Sequence, residues 1–144
     1  MVNTIININM IKKTFTIEMY SHFKIHVIVT EDFEEALKKY CKDIIVEGID
    51  KVGGLFIYHE NKPWEGYILV SPTTPTSTVA HESFHATYRI MSAIGSELGA
   101  ESEEPYAYLL GFITNKVVET LMIYDKKYPA VEGLEQNIVI EVNN

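Results

Sequence analysis

Apolar and polar positions alternate in two early stretches of the chain. In "TFTIEMY" (14–20), Phe15, Ile17 and Met19 fall on one side. In "HFKIHVIV" (22–29), Phe23, Ile25, Val27 and Val29 do the same. A side-chain period of two predicts half-buried strands. The period then lengthens. In "TEDFEEALKKYCKDI", Phe33, Leu37, Tyr40 and either Cys41 or Ile44 fall at helical spacing, with acids early and lysines late. That predicts a helix over about 31–44, with Thr30 as its cap.

Gly53-Gly54 interrupts the pattern. "LFIYHE" and "GYILVS" flank the turn-rich "NKPW", which predicts a β-hairpin over 54–71. "PTTPTST" (72–78) is a loop rich in capping residues. A helix is expected over about 77–94, ended by Gly95 and Gly99. A longer one is expected over 102–128, with Ser102 as N-cap, Pro105 tolerated in its first turn and Pro129 after its end. "NIVIEV" (137–142) reads as a last strand. The order β-β-α-(β-hairpin)-α-α-β predicts an α+β fold, with helices packed on one face of a mostly antiparallel sheet.

A chain of 144 residues suits a single domain, with no internal repeat and no low-complexity segment. The net charge of −8 argues against sequence-blind nucleic-acid binding and against an anionic membrane surface. The basic pairs Lys12-Lys13 and Lys126-Lys127 are short and isolated. The single cysteine, Cys41, forbids an internal disulfide and a cysteine-rich zinc module, and reads as a packed side chain. No apolar run reaches the length of a membrane span, and the basic residues near the N-terminus follow the apolar ones, the wrong order for a signal peptide. A cytoplasmic protein is the expectation.

The candidate chemistry lies in "VAHESFHATYR" (79–89), which contains His-Glu-x-x-His. In a chain with 5 His and 16 Glu this pattern arises by chance about twice in a hundred such sequences, so it is moderate evidence alone. On a helix, His81 and His85 lie about 40° apart, one turn above each other, and can share one metal ion. Glu82 lies about 60° to the side of His85, within reach of a water on that metal. Val79, Ala86, Ile90, Ala93 and Ile94 form the opposite arc. The histidine side is then either a cleft wall or a solvated stripe.

A catalytic zinc site needs a third protein ligand. Nineteen residues after His85 comes "EEPYAY", opening the second helix. With Glu104 at zero, Tyr108, Gly111 and Asn115 fall within about 40° of it, opposite Ala107, Leu109, Leu110, Ile113, Val117 and Leu121. Glu104 thus begins a polar stripe, on which Gly111 leaves room for another backbone. Glu103 points toward the apolar side. Glu104, Glu103 and Glu101 are the acids near the start of this helix from which a third ligand would come.

HExxH followed by a helix opening ExxA, here His81, Glu82, His85, Glu104 and Ala107, resembles the gluzincin branch of zinc metallopeptidases. The likeness covers about 31–128 and is to the smallest single-domain members, including short phage- and prophage-encoded HExxH proteins. It implies a zincin-like fold and one zinc ion held by His81, His85 and Glu104. It also implies peptide-bond hydrolysis with Glu82 as general base. Many gluzincins carry Asp four residues after the ligand Glu, and this chain has Tyr108 there. Its hydroxyl would orient a ligand histidine or hold an oxyanion, or its presence marks a weakened site. Tyr88 and Arg89 project from the histidine side, as oxyanion donors or as cleft-edge residues. A peptide or protein substrate would add to a strand edge of the 54–71 hairpin. The alternative is a non-catalytic, zinc-stabilised binding or regulatory protein with the same fold. His22, His26 and Lys24 fall on the polar side of their strand and read as solvated, His59 as exposed and Trp64 as a surface contact. Oligomeric state is left open by the sequence.

Overall fold

The computed structural model describes residues 8–49 and 52–130. Seven elements follow one another: β1 (Met10–Ile17), β2 (Phe23–Thr30), α1 (Phe33–Tyr40), β3 (Gly54–Ile57), β4 (Glu65–Val70), α2 (Thr76–Ala93) and α3 (Glu103–Lys127). The fold is α+β. The strand expected over 137–142 lies outside the described residues.

The sheet order is β1-β2-β4-β3. β1 and β2 pair antiparallel with Phe15 opposite Ile25, and β3 and β4 pair antiparallel with Leu55 opposite Leu69. β2 and β4 run parallel, with Val27 opposite Ile68, so the sheet is mixed. A parallel pair needs a long crossover, and α1 with the segment leading to β3 supplies it. The expected hairpin is present, but 58–64 connects its strands, a longer loop than "NKPW".

The helices do not share one face. Ile25, Val27, Val29, Ile68 and Val70 pack beneath α2 and α3, against Val79, Ala86, Ile90, Leu109, Ile113 and Val117. Ile28 and Leu69, of opposite parity, pack with Phe33, Ala36, Leu37 and Cys41 of α1 and its C-terminal end. The physical reason is that β2 and β4 are apolar on both sides. Val27, Ile28 and Val29 are all fully buried, as are Ile68, Leu69 and Val70. A strand buried on both faces needs a layer on each, and each such side chain contributes about 1.5–3 kcal/mol.

Local signals were shifted by a few residues. α1 is capped by Asp32, whose carboxylate accepts from Glu35 N at 3.0 Å; Thr30 instead accepts from Asp32 N. β1 ends at Ile17, and the chain turns over Glu18–His22 with Ser21 and His22 at φ of 55° and 56°. Met19 is therefore exposed instead of inward. Pro75 occupies the N-cap of α2 and has no side-chain acceptor to offer; Thr74 Oγ1 accepts from Ser71 N and donates to Gly53 O. Ser102 is the N-cap residue of α3, but its hydroxyl reaches back to the Glu97 and Gly99 carbonyls. Among the described residues no helix is long and apolar enough to cross a membrane.

Candidate active site at the edge of the sheet

The HExxH residues lie in the first half of α2. His81 and His85 are exposed and one turn apart, with their rings edge-on at 4.7 Å between centroids. Their Nε2 atoms face each other at 3.0 Å. Two metal–nitrogen bonds of about 2.0–2.1 Å at a tetrahedral angle would hold such atoms roughly 3.3 Å apart. The two nitrogens share a hydrogen bond at 3.0 Å, close to the separation a shared zinc ion would require of them. Glu82 turns inward. It is 8% exposed, and its Oε1 lies 4.0 Å from His81 Nε2.

The inward turn carries Glu82 toward β3, the outer strand on this side of the sheet. A groove of about 500 Å³ runs between α2 and β3, lined by Gly54, Phe56, Tyr58, Glu82, His85 and Arg89 among others. Among the described residues β3 pairs only with β4, and no strand lies against its other edge. Gly54 makes this approach possible. A Cβ there would stand 2.7 Å from Thr78 Cγ2 and 3.3 Å from Glu82 Cγ, so a side chain would force the helix off the strand.

The residues expected on α3 are arranged differently. α2 packs over β3 and β4, whereas α3 packs over β1 and β2. The buried face of α3 is Tyr106, Leu109, Ile113, Val117, Thr120 and Tyr124. At 100° per residue Glu104 lies diametrically opposite its centre, and Glu104 is exposed. Tyr108 is 76% exposed and lines a separate groove with Thr16–Tyr20 and Phe112, on the flank toward β1. The flank toward α2 carries Glu103, Ala107, Leu110 and Thr114. Among the described residues no backbone comes close to Gly111. Among the described residues no group of three or more His, Cys, Asp or Glu side chains is assembled to hold a metal ion. The structure thus joins His81, His85 and Glu82, and does not bring Glu104 or Tyr108 to them. The donor set fits a metal through its two imidazoles; a third protein ligand is not gathered beside them.

A second polar cluster was missed by the strand pattern. His26 is buried on the α1 face of the sheet instead of solvated. Its Nε2–H donates to Glu65 Oε1 at 2.6 Å, and its Nδ1 accepts the Thr14 hydroxyl at 2.7 Å, the roles of a neutral ring beside a carboxylate. Tyr67 stacks on the ring at 4.6 Å and donates its hydroxyl to the same carboxylate. Burial holds His26 below its ordinary pKa of 6.5, against the pull of Glu65 and with the help of Lys12 and Lys24. Burial alone would raise Glu65, but the hydrogen bond and charge of His26, the Tyr67 hydroxyl and Lys62 hold it below 4.5. Burial pushes the neighbouring Tyr67 up to about 12 and Cys41 up to about 11. The uninterrupted apolar run after His26 was the available signal, since it announced a second buried face. His59 is half-buried, with its Nδ1 accepting from Asn61 N, and Trp64 is exposed at the β3–β4 loop.

No protein-family model, no curated protein and no solved structure matches the chain.

Proposed function

We propose that the protein is a zinc-dependent peptide hydrolase of zincin-like architecture, with His81 and His85 as metal ligands and Glu82 as general base. The supporting observation is that Glu82 and His85 line one groove with β3, whose outer edge has no strand partner among the described residues. An extended peptide can add to such an edge through main-chain hydrogen bonds, and its carbonyls would then pass the histidine pair. A bound zinc ion would supply a water with its pKa brought to about 7. Glu82 would accept a proton from a water held at this site and pass it to the leaving amine. Its position is suited to the task, since it is screened from solvent on the helix flank facing the substrate. Glu104 is the third ligand that the gluzincin resemblance assigns, with Tyr108 in the supporting position.

A second reading has its own support. Glu104 and Tyr108 lie away from the histidine pair, as a non-catalytic, zinc-stabilised binding or regulatory protein would tolerate. Two measurements separate these. Protein purified without an affinity tag is analysed for zinc; under roughly a tenth of an equivalent, unrestored by added zinc, ends both readings. Wild type and Glu82→Gln are then compared on a mixed peptide library. Retained zinc with cleavage lost only in Glu82→Gln supports the hydrolase, and zinc without cleavage in either supports the binding protein.

A further inference from the structure

Arg89 is the only arginine in the chain. It lies one helical turn beyond His85 and two beyond Glu82, and it lines the same groove between α2 and β3. Its guanidinium carbon sits 4.0 Å from the centroid of the Tyr58 ring. Its Nε is buried without a hydrogen-bond partner. Among the described residues no ion pair engages it; the acids that do form pairs are Glu35, Glu65, Glu82 and Glu119, each with a different base.

A partly buried cation left without a partner is costly. Stacking on Tyr58 recovers part of that cost and fixes the plane of the guanidinium. With Nε closed off from solvent, the two terminal nitrogens, which form no hydrogen bond among the described residues, are the edge that can meet a carboxylate in bidentate fashion. Among the described lining residues Glu82 is the one acid, and it stands two turns, about 10 Å, away along the axis. The groove therefore has opposite charges at separate stations, a carboxylate beside the histidine pair and a cation further along.

We propose that Arg89, held by Tyr58, forms a carboxylate-binding subsite of the β3–α2 groove, selecting peptides with an acidic group about two residues from the bond presented to His81 and His85. The spacing follows from the helix. Arg89 is about 6 Å beyond His85 along α2, and an extended peptide advances about 3.3 Å per residue. The carboxylate is either an Asp or Glu side chain or the C-terminus of a short peptide. This inference rests on the groove being a peptide site, but not on the peptide being cleaved.

The test is binding to Glu82→Gln protein, measured by fluorescence anisotropy with labelled, otherwise neutral ten-residue peptides. One set is C-terminally amidated and carries a single Glu or Gln inside; a second has no acidic side chain and ends in a free carboxylate or an amide. A charge-assisted fork should give the carboxylate member of one set about tenfold or greater advantage; which set responds identifies the source. Arg89→Met should abolish the advantage, while Arg89→Lys keeps part of it. Equal affinities within both sets, a preference that survives Arg89→Met, or no binding of any peptide overturns the proposal. The Glu-against-Gln comparison needs no change at Arg89, so a misfolded Arg89→Met protein leaves the test intact. Acid-dependent binding without cleavage by wild type would overturn the hydrolase and leave the subsite standing. Cleavage indifferent to acidic residues would do the reverse.

Discussion

Gly54 of β3 lies directly against Glu82 of α2, with 3.3 Å between a Cβ built on the glycine and Glu82 Cγ. That contact joins the last strand of the described sheet to the candidate base. It makes the groove a property of two elements that the sequence keeps apart by a hairpin and a loop.

Gly54→Ala is expected to destabilise the fold by about 1–3 kcal/mol, the range for overpacking a tight contact. The first obstacle, Thr78 Cγ2 at 2.7 Å, belongs to a short β-branched side chain that has little room to move. Peptide turnover should fall further than the loss of folded protein explains, because Glu82 moves with the helix. Thermal unfolding and turnover per folded molecule check this; an unchanged melting temperature would contradict the contact.

Zinc retention tests the ligand assignments one at a time. His81→Ala and His85→Ala should each lose the metal, and Glu82→Gln should keep it. The assignment implied by the resemblance requires that Glu104→Gln weaken zinc binding by at least about tenfold and that Glu103→Gln not do so. Competition with a chelator reads all five proteins. An unaffected Glu104→Gln would mean that the outward position of Glu104 persists with metal bound; loss in Glu103→Gln would move the ligand to the flank facing α2.

The His26–Glu65 pair should make stability fall with acidification. His26 has its folded pKa below 6.5, so as pH drops through 6.5 the unfolded chain takes up its proton first. Glu65 has its folded pKa below 4.5, and the same inequality applies again below that pH. Both contributions are present at neutral pH and lost on the acid side. Melting temperatures from pH 8 down through the carboxylate range to about pH 2 should decline in two stages, and His26→Gln should flatten the upper one. A decline unchanged in His26→Gln would place the linkage elsewhere.

Cys41 should be inert in the native protein. Burial raises its thiol to about 11, against the pull of Lys12 and Lys62, and only the thiolate reacts. An aromatic disulfide reagent at pH 8 should modify it at the rate of unfolding, and at once in denaturant. Fast stoichiometric labelling of folded protein would show that α1 does not cover it.

The chain order of strands and helices was readable because each rests on a short period. Ser102, Pro129 and the apolar arc of Leu109, Ile113 and Val117 marked α3 closely, and Val79, Ala86 and Ile90 marked the buried side of α2. Glu82 was harder to judge, since its flank is neither core nor solvent until β3 is beside it. His26 was misjudged for a related reason. Alternation assigned it to the polar side, but that side is covered by α1, and its partner Glu65 lies 39 residues away.

The sequence by itself determined the pairing of His81 with His85, because four residues on a helix return the chain to nearly the same direction. It also determined that β2 and β4 carry apolar runs with no wet face. Tertiary structure alone decided where these features point. The order β1-β2-β4-β3 puts α2 over β4 and β3 and α3 over β2 and β1. Glu82 and Arg89 thereby face the β3 edge, Tyr108 faces the β1 turn, and Glu104 faces outward. A helical period states which residues share a flank; which neighbour that flank meets is set by strand order, through contacts between segments far apart in the chain.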